Sequence, residues 1–177
     1  MNIRAPLQGV RLHLSGSIPE ESAPAQRAGI ALFVEKLASA VLRLGGTLLH
    51  GSHPSFAAPL RAAALPFVAA GGSREALILV RAQHHAVTSE QLAEIEAQQQ
   101  YCTVQLIPTS PNGPNQALVP MREWMAERCD AIVAIGGRHW QLNRSRSGVP
   151  VELEEALFRG RPGFVLGGFG GAIKGYV

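Results

Sequence analysis

Two hydrophobic rhythms take turns along the chain. "VRLHLSGS", from Val10 to Ser17, switches between apolar and polar residues at every step and then meets a glycine. That is the period of a strand running into a loop. From Ala25 to Leu44 the apolar positions Ile30, Phe33, Val34, Leu37, Val41 and Leu44 recur at steps of three and four. This spacing predicts an amphipathic helix, which Gly45-Gly46 ends. "GGTLLHGSHPS" then predicts a second short strand that finishes at Gly51, Ser52 and His53.

The alternation continues. "FAAPLRAAALPFVAAGG" has helical propensity but is interrupted at Pro59 and Pro66, so a short or kinked helix closed by Gly71-Gly72 is expected. "EALILVRAQ" carries an unbroken apolar core, Ala76 to Val80, as a strand covered on both faces would. "TSEQLAEIEAQQQ" opens with Thr88 or Ser89 three residues ahead of Gln91 or Leu92, a capped polar helix. "CTVQLIPTS" predicts a fourth strand, residues 108–115 a loop, and "LVPMREWMAERCD" a helix with Pro120 near its start. "AIVAIGG" is the fifth strand and "PGFVLGGFGGA" the sixth. Between them "PVELEEALFRG" is a helix with acidic residues toward its N-terminal end and Arg159 toward its C-terminal end, the polarity that a helix macrodipole favours.

Strands alternating with helices through short connections predict an α/β fold: a Rossmann-like, doubly wound, mainly parallel sheet with helices on both faces. We expect one domain over residues 1–177. The closing "GGAIKGYV" leaves little room for a helix after strand six, and a fused effector or membrane segment beyond Val177 is expected.

Composition narrows the function. At 46% apolar and 16% charged residues the chain is not of disordered type. A formal charge of +3 is too weak to argue for duplex nucleic acid and fits an anionic small ligand. Aromatics at 6% rank a single-strand nucleic-acid binder last. Cys102 and Cys129 are far apart and outside any CxxC pattern, which points to reduced thiols in a cytoplasmic protein. No run of 18 apolar residues occurs.

In an open parallel sheet, ligands sit beyond the carboxyl ends of the strands, where loops diverge and helix N-termini aim N–H groups outward. Gly16 and Ser17, then Gly51, Ser52 and His53, collect at such ends. So do Thr109 and Ser110, Gly136 and Gly137, and the run from Gly167 and Gly168 to Gly171. Glycine backbone and serine hydroxyls suit a phosphate; the competing reading is that each pair only ends a strand. There is no Walker A motif and no good GxGxxG ahead of a helix, which argues against an ATPase or an ordinary NAD dehydrogenase, and no cofactor is expected.

Glu152 lies at a helix start behind the Gly136-Gly137 turn, placed to accept from a ribose hydroxyl or backbone N–H, or merely to favour the helix terminus along with Glu154 and Glu155. His53 follows a strand end and would meet a base or phosphate. Arg122 and Arg128 are offset by roughly 120° on one helix, so only one of them can face a pocket. Trp124, with Met121, Met125 and Arg128, reads as a packed stripe; Trp140 is the better ligand candidate. Arg138, Arg144 and Arg146 in its loop either gather phosphates or are solvated. Six histidines raise the question of a metal, but His84-His85 would point to opposite faces if extended and lack nearby Cys or Asp partners, so no metal site is expected.

"LHLSGSIP", "GGTLLHGSHPS" and "CDAIVAIGG…GVPVELEEAL…PGFVLGGFGGA" together resemble the SLOG superfamily, named for the Smf/DprA and lonely-guy proteins. The resemblance implies a Rossmann-like domain for nucleotides or nucleotide-derived ligands, with Gly136, Gly137, Gly148 and Glu152 at the family's Gly-Gly…Gly-x-x-x-Glu positions. Lonely-guy enzymes are phosphoribohydrolases with a compact Pro-Gly-Gly-x-Gly-Thr-x-x-Glu motif; here ten residues separate Gly137 from Gly148, and Val149-Pro150 replaces Gly-Thr. The nearer resemblance is to the sensor SLOG domains of bacterial antiphage systems, which recognise ADP-ribose-like or cyclic nucleotide messengers. It implies a ligand sensor, homo-oligomeric and fused to an effector. The alternative it leaves is a nucleoside monophosphate hydrolase using Glu152, with Arg122 or Arg128 on the phosphate.

Overall fold

The computed structural model describes residues 5–110, 116–138 and 148–176. Six parallel strands form one sheet: β1 (Arg11–Ser17), β2 (Thr47–His50), β3 (Leu77–Ala82), β4 (Thr103–Ile107), β5 (Ala131–Gly136) and β6 (Gly163–Leu166). Their order across the sheet is β4-β3-β2-β1-β5-β6. The helices between them are α1 (Pro24–Arg43), α2 (Ala57–Ala69), α3 (Ser89–Gln98), α4 (Val119–Arg128) and α5 (Gly148–Phe158). This is the doubly wound, Rossmann-like α/β architecture that the alternating rhythms predict.

The period-two pattern sorts side chains between two layers. Leu14, Leu48, Leu77 and Leu79 pack with Ile30, Val34 and Leu42 of α1 and Leu60 of α2. On the other face Ile132 and Ala134 meet Val149 and Leu153 of α5, while Val80 and Ala82 meet Met121 and Met125 of α4. Burying each large apolar side chain contributes about 1.5–3 kcal/mol, so the two layers hold the sheet from both sides. Arg81 alternates back to the first face, where Glu94 and Gln98 of α3 receive its guanidinium at 3.1 and 3.4 Å.

Local chemistry sets the helix bounds. Pro24 begins α1 and Pro120 lies in the first turn of α4, where a missing N–H costs nothing. Thr88 and Gln91 form a capping box on α3. Helix α2 runs through both of its prolines: Pro59 falls in the first turn, and Pro66 near the end removes a single interior hydrogen bond. The acidic residues of α5 do not sit in its first turn, contrary to the dipole reading, because the helix already begins at Gly148. They bond elsewhere, Glu155 with Arg159 and Glu154 accepting from the Tyr176 hydroxyl at 2.5 Å.

After β6 the chain makes two short 3-10 turns, Gly167–Phe169 and Ala172–Tyr176, which set Ile173 into the layer beneath α5. The bare backbone in this region faces bare backbone. Gly136 and Gly171 have φ of +64° and +73°, and a Cβ on Gly171 would stand 2.5 Å from the Gly137 carbonyl oxygen. Gly137 N–H donates to Ser17 O at 3.0 Å, and Ala172 N–H to Gly137 O at 3.0 Å.

Gly171→Ala therefore combines a disfavoured φ with a backbone clash and is expected to cost about 2–3 kcal/mol. Gly168→Ala, with open space around it, should change stability by less than about 0.5 kcal/mol. Urea melts of both variants test this; equal stabilities would show that the glycine-to-glycine contact is dispensable.

Candidate functional site

The direction of winding reverses between β1 and β5: β1 leads through α1 toward β2, and β5 leads through α5 toward β6 on the other side. The crevice beyond their carboxyl ends is where a doubly wound sheet binds ligands. A cavity of about 220 Å³ lies there, with Gly16, Ser17, Gly51, His53, Arg122 and Glu152 in its wall. Arg138, Gly148 and Val149 complete one side, so the N-terminus of α5 opens onto it.

Glu152 is its anchor. From α5 its carboxylate reaches back to β1, where Ser15 Oγ donates to Oε2 at 2.6 Å and His13 Nε2 lies 3.4 Å from the same oxygen. Arg122 Nε stands 3.8 Å from Oε1. His13, Ser15 and Ser17 share one face of β1 because strand residues alternate, and all three are buried. Burial alone would raise the Glu152 pKa; His13, Ser15 and Arg122 outweigh it and hold the carboxyl below its usual range. Burial would likewise favour a neutral His13, but Cys129 and Glu152 beside the ring raise its pKa to about 9.

His50 is held in the opposite state. Its Nδ1–H donates to Leu14 O at 2.8 Å and its Nε2 accepts the His53 N–H at 3.2 Å, an arrangement only the neutral ring can make. Burial lowers its pKa to about 4. The His53 Nδ1 accepts from Ser55 N–H, with Ser55 Oγ 2.9 Å away, which leaves Nε2 to carry the proton outward.

Four polar atoms in or near the crevice are buried without hydrogen-bond partners: Arg122 Nε, Ser52 Oγ and the two ring nitrogens of His13, whose Nε2 meets Glu152 only as an ion pair. Ser52 also has φ of 55°, strained for a residue with a Cβ. It borders a second cavity of about 310 Å³ that shares Gly51, His53, Leu118 and Met121 with the first.

Of the residues singled out in the sequence, the structure thus brings Gly16, Ser17, Gly51, His53 and Glu152 onto one cavity and Ser52 onto its neighbour. Gly136 and Gly137 form the turn behind it and are packed by the chain itself. Gly167 and Gly168 lie in the 3-10 turn after β6, where Phe169 packs on α1, away from both cavities; Ser110, after β4, borders neither. Arg122 is the arginine that faces the crevice, while Arg128 lies over the Trp124 ring at 4.5 Å. His84 and His85 are not extended: a 3-10 turn sets their rings 3.9 Å apart. Among the described residues no group of three His, Cys, Asp or Glu side chains gathers for a metal. His139, Trp140, Arg144 and Arg146 lie outside the described residues. Cys102 and Cys129 are free and buried, and no described helix is long and apolar enough to cross a membrane.

His13, Ser15 and His50 were not picked out as ligand residues from the sequence, and Arg138, read there as either gathering phosphate or solvated, lines the first cavity. The one signal for the first two was the period-two spacing of His13, Ser15 and Ser17, which reads equally well as a solvent face until β1 is known to be central.

A doubly wound parallel sheet with a polar cavity at the winding reversal defines a Rossmann-like α/β domain. The sequence model of SLOG cluster2 matches residues 71–176, and the chain belongs to that family. Among solved structures it is similar to the structural-genomics target TM1055, at 16% identity over 94% of this chain and 79% of that one, with a TM-score of 0.60. It is also similar to the molybdenum cofactor carrier protein of Chlamydomonas reinhardtii, at 17% identity over 87% and 74% of the two chains, with a TM-score of 0.52. These likenesses are of fold. No curated protein sequence matches the chain.

The two buried histidines set opposite limbs of the stability curve. With its pKa lowered from 6.5 to about 4, His50 contributes stability that is complete above pH 6.5 and is lost as pH falls toward 4. With its pKa raised to about 9, His13 contributes stability that is complete below pH 6.5 and is lost as pH rises through 9. Stability should peak near neutrality, and His50→Gln, which keeps a donor and an acceptor, should flatten the fall between pH 6.5 and 4.5 by an amount on the order of 2 kcal/mol. Chemical denaturation across pH 4.5–9 checks this; an unchanged acid limb in the variant would refute the assignment.

Proposed function

We propose that this domain binds a nucleotide-derived ligand at the crevice between β1 and β5, with phosphate at Arg122, Arg138 and the α5 N-terminus and a ribose hydroxyl on Glu152. The observation that carries the reading is the Glu152 carboxylate: it is kept ionised, fixed through Oε2 by Ser15, and left with Oε1 toward the cavity beside Arg122. A fixed acceptor and a guanidinium side by side match adjoining hydroxyl and phosphate groups on one ribose. The positive end of the α5 dipole, which opens onto the cavity at Gly148 and Val149, favours the same anion.

The reading extends to a sensor for an ADP-ribose-like or cyclic nucleotide messenger that regulates an effector in antiphage defence. Support for this step is the resemblance to sensor domains together with family membership. Such a role requires the ligand to favour one oligomeric or effector-bound state over another, since equal affinity for both shifts nothing.

A second reading rests on the 3.8 Å approach of Arg122 to Glu152. An ionised carboxylate next to a phosphate-binding arginine suits stabilisation of an oxocarbenium-like ribosyl centre, and the domain would then cleave nucleoside monophosphates to base and ribose phosphate.

Thermal stability against mononucleotides, ADP-ribose, cyclic ADP-ribose and cyclic oligonucleotides tests the proposal, followed by chromatography of whichever compound acts. Ligand at about 100 times its Kd should add roughly 2.7 kcal/mol. Arg122→Met should weaken binding by about tenfold or more, close to 1.4 kcal/mol. Ligand recovered intact supports binding alone, and free base supports the hydrolase. No stabilisation by any phosphate-bearing compound would overturn both.

A further inference from the structure

The second cavity extends the first rather than standing apart from it. The two meet over Gly51, with His53, Leu118 and Met121 in both walls, and the second continues past the end of β3 to α3. Their chemistry differs. The first holds Arg122, Arg138 and a helix N-terminus. In the second the cation is Arg81, and its guanidinium is already committed to Glu94, Gln98 and the His85 carbonyl. No positive charge is left there for a second phosphate. Its floor is Ala82, Leu118 and Met121; Gln91 and Glu94 in its wall are bonded within the chain, and the remaining polar groups, the imidazoles of His53 and His85 and the buried, unpartnered Ser52 hydroxyl, suit hydrogen bonding with a neutral ring.

We propose that this second compartment receives the uncharged heterocyclic base of a nucleoside phosphate whose phosphate lies in the Arg122–Arg138 compartment. The inference rests on the phosphate reading above and adds the direction in which the ligand lies: from α5, across Gly51, toward α3. It also gives Ser52 a role. A residue with a Cβ held at φ of 55° with its hydroxyl buried and unpaired is a site where stability has been given up, and a ligand acceptor group at the base edge would satisfy that hydroxyl. Gly51 is the gate between the halves. It is not in the left-handed region, and a Cβ there would meet Met121 and Met125 at 3.5 Å and Glu152 Oε1 at 3.9 Å, ordinary contacts. An alanine is therefore compatible with folding and narrows the passage.

Calorimetric titration with adenosine 5′-monophosphate, adenosine and ribose 5-phosphate tests this on wild type, Gly51→Ala and Ser52→Gly. Wild type should bind the nucleotide at least about tenfold more tightly than ribose 5-phosphate, an advantage that the base must supply. Gly51→Ala, at the junction of the two cavities, should reduce that advantage to about threefold or less, weakening the nucleotide more than ribose 5-phosphate. Ser52→Gly should melt no lower than wild type and still lose nucleotide affinity. Equal affinity for nucleotide and ribose 5-phosphate, or a Gly51→Ala variant that keeps the full advantage, overturns the base compartment and leaves the phosphate reading intact. Failure of both phosphate compounds to bind the wild type overturns the two together.

Discussion

A carboxylate largely withdrawn from water needs partners, and much of the architecture around the crevice follows from how Glu152 is accommodated. Its removal from water would be prohibitive without partners, so β1 supplies them: a hydroxyl at 2.6 Å and a protonated imidazole at 3.4 Å on the same oxygen. The attachment runs from the first part of α5 across the helix–sheet interface to the middle of the central strand. It fixes the start of α5 against the carboxyl ends of β1 and β5, and thereby fixes where the cavity can open. Removing the carboxylate would take away the acceptor of the Ser15 hydroxyl and the charge that helps keep His13 protonated, so this contact belongs to the packing of α5 on β1 as well as to the site.

The glycine-rich ends of the strands divide into two physical classes. Gly136 and Gly171 are bare because backbone packs on backbone, the segment after β6 being laid across the turn after β5, and Gly137 because the Val149 side chain of α5 lies against it. Gly51 instead borders empty volume, and Gly16 does both, lining the cavity while a Cβ on it would stand 2.5 Å from the Ile135 carbonyl oxygen. The same residue type thus closes the back of the crevice and opens its front. That division explains why the glycine turn most suggestive of phosphate in the sequence is the one already occupied by the chain itself.

The architecture was legible in the sequence because each strand and helix carries its own period, and the parallel arrangement follows from their alternation. Glu152 was legible too, as an acid just behind a glycine turn. Its partners were not. His13, Ser15 and Ser17 alternate with leucines in the manner of any half-exposed strand, and only the strand order, which places β1 between β2 and β5, turns that polar face inward. The choice between Arg122 and Arg128 needed the rotation of α4, and the fate of Gly167 and Gly168 needed the path of the chain after β6. The macrodipole reading of α5 failed for a related reason: a shift of the helix start by two residues, from Pro150 to Gly148, moves the acids out of the first turn.

Two histidines at similar depth illustrate how partners decide charge. His50 is bounded by a backbone carbonyl and a backbone N–H, one asking for a proton and the other for a lone pair, and it stays neutral. His13 is bounded by a carboxylate and a thiol, and it is held protonated. Within the crevice the positive charge on His13 cancels that of Glu152. Arg138 is shared with Glu20 at 3.2 Å on the exposed side, where an ion pair is worth little and is readily exchanged. What remains beyond that pair is the charge of Arg122, whose buried Nε makes no hydrogen bond among the described residues, beside the start of α5. The buried ion pair thus does more than anchor α5: by consuming the acid's charge internally, it leaves the cavity with a net attraction for an anion.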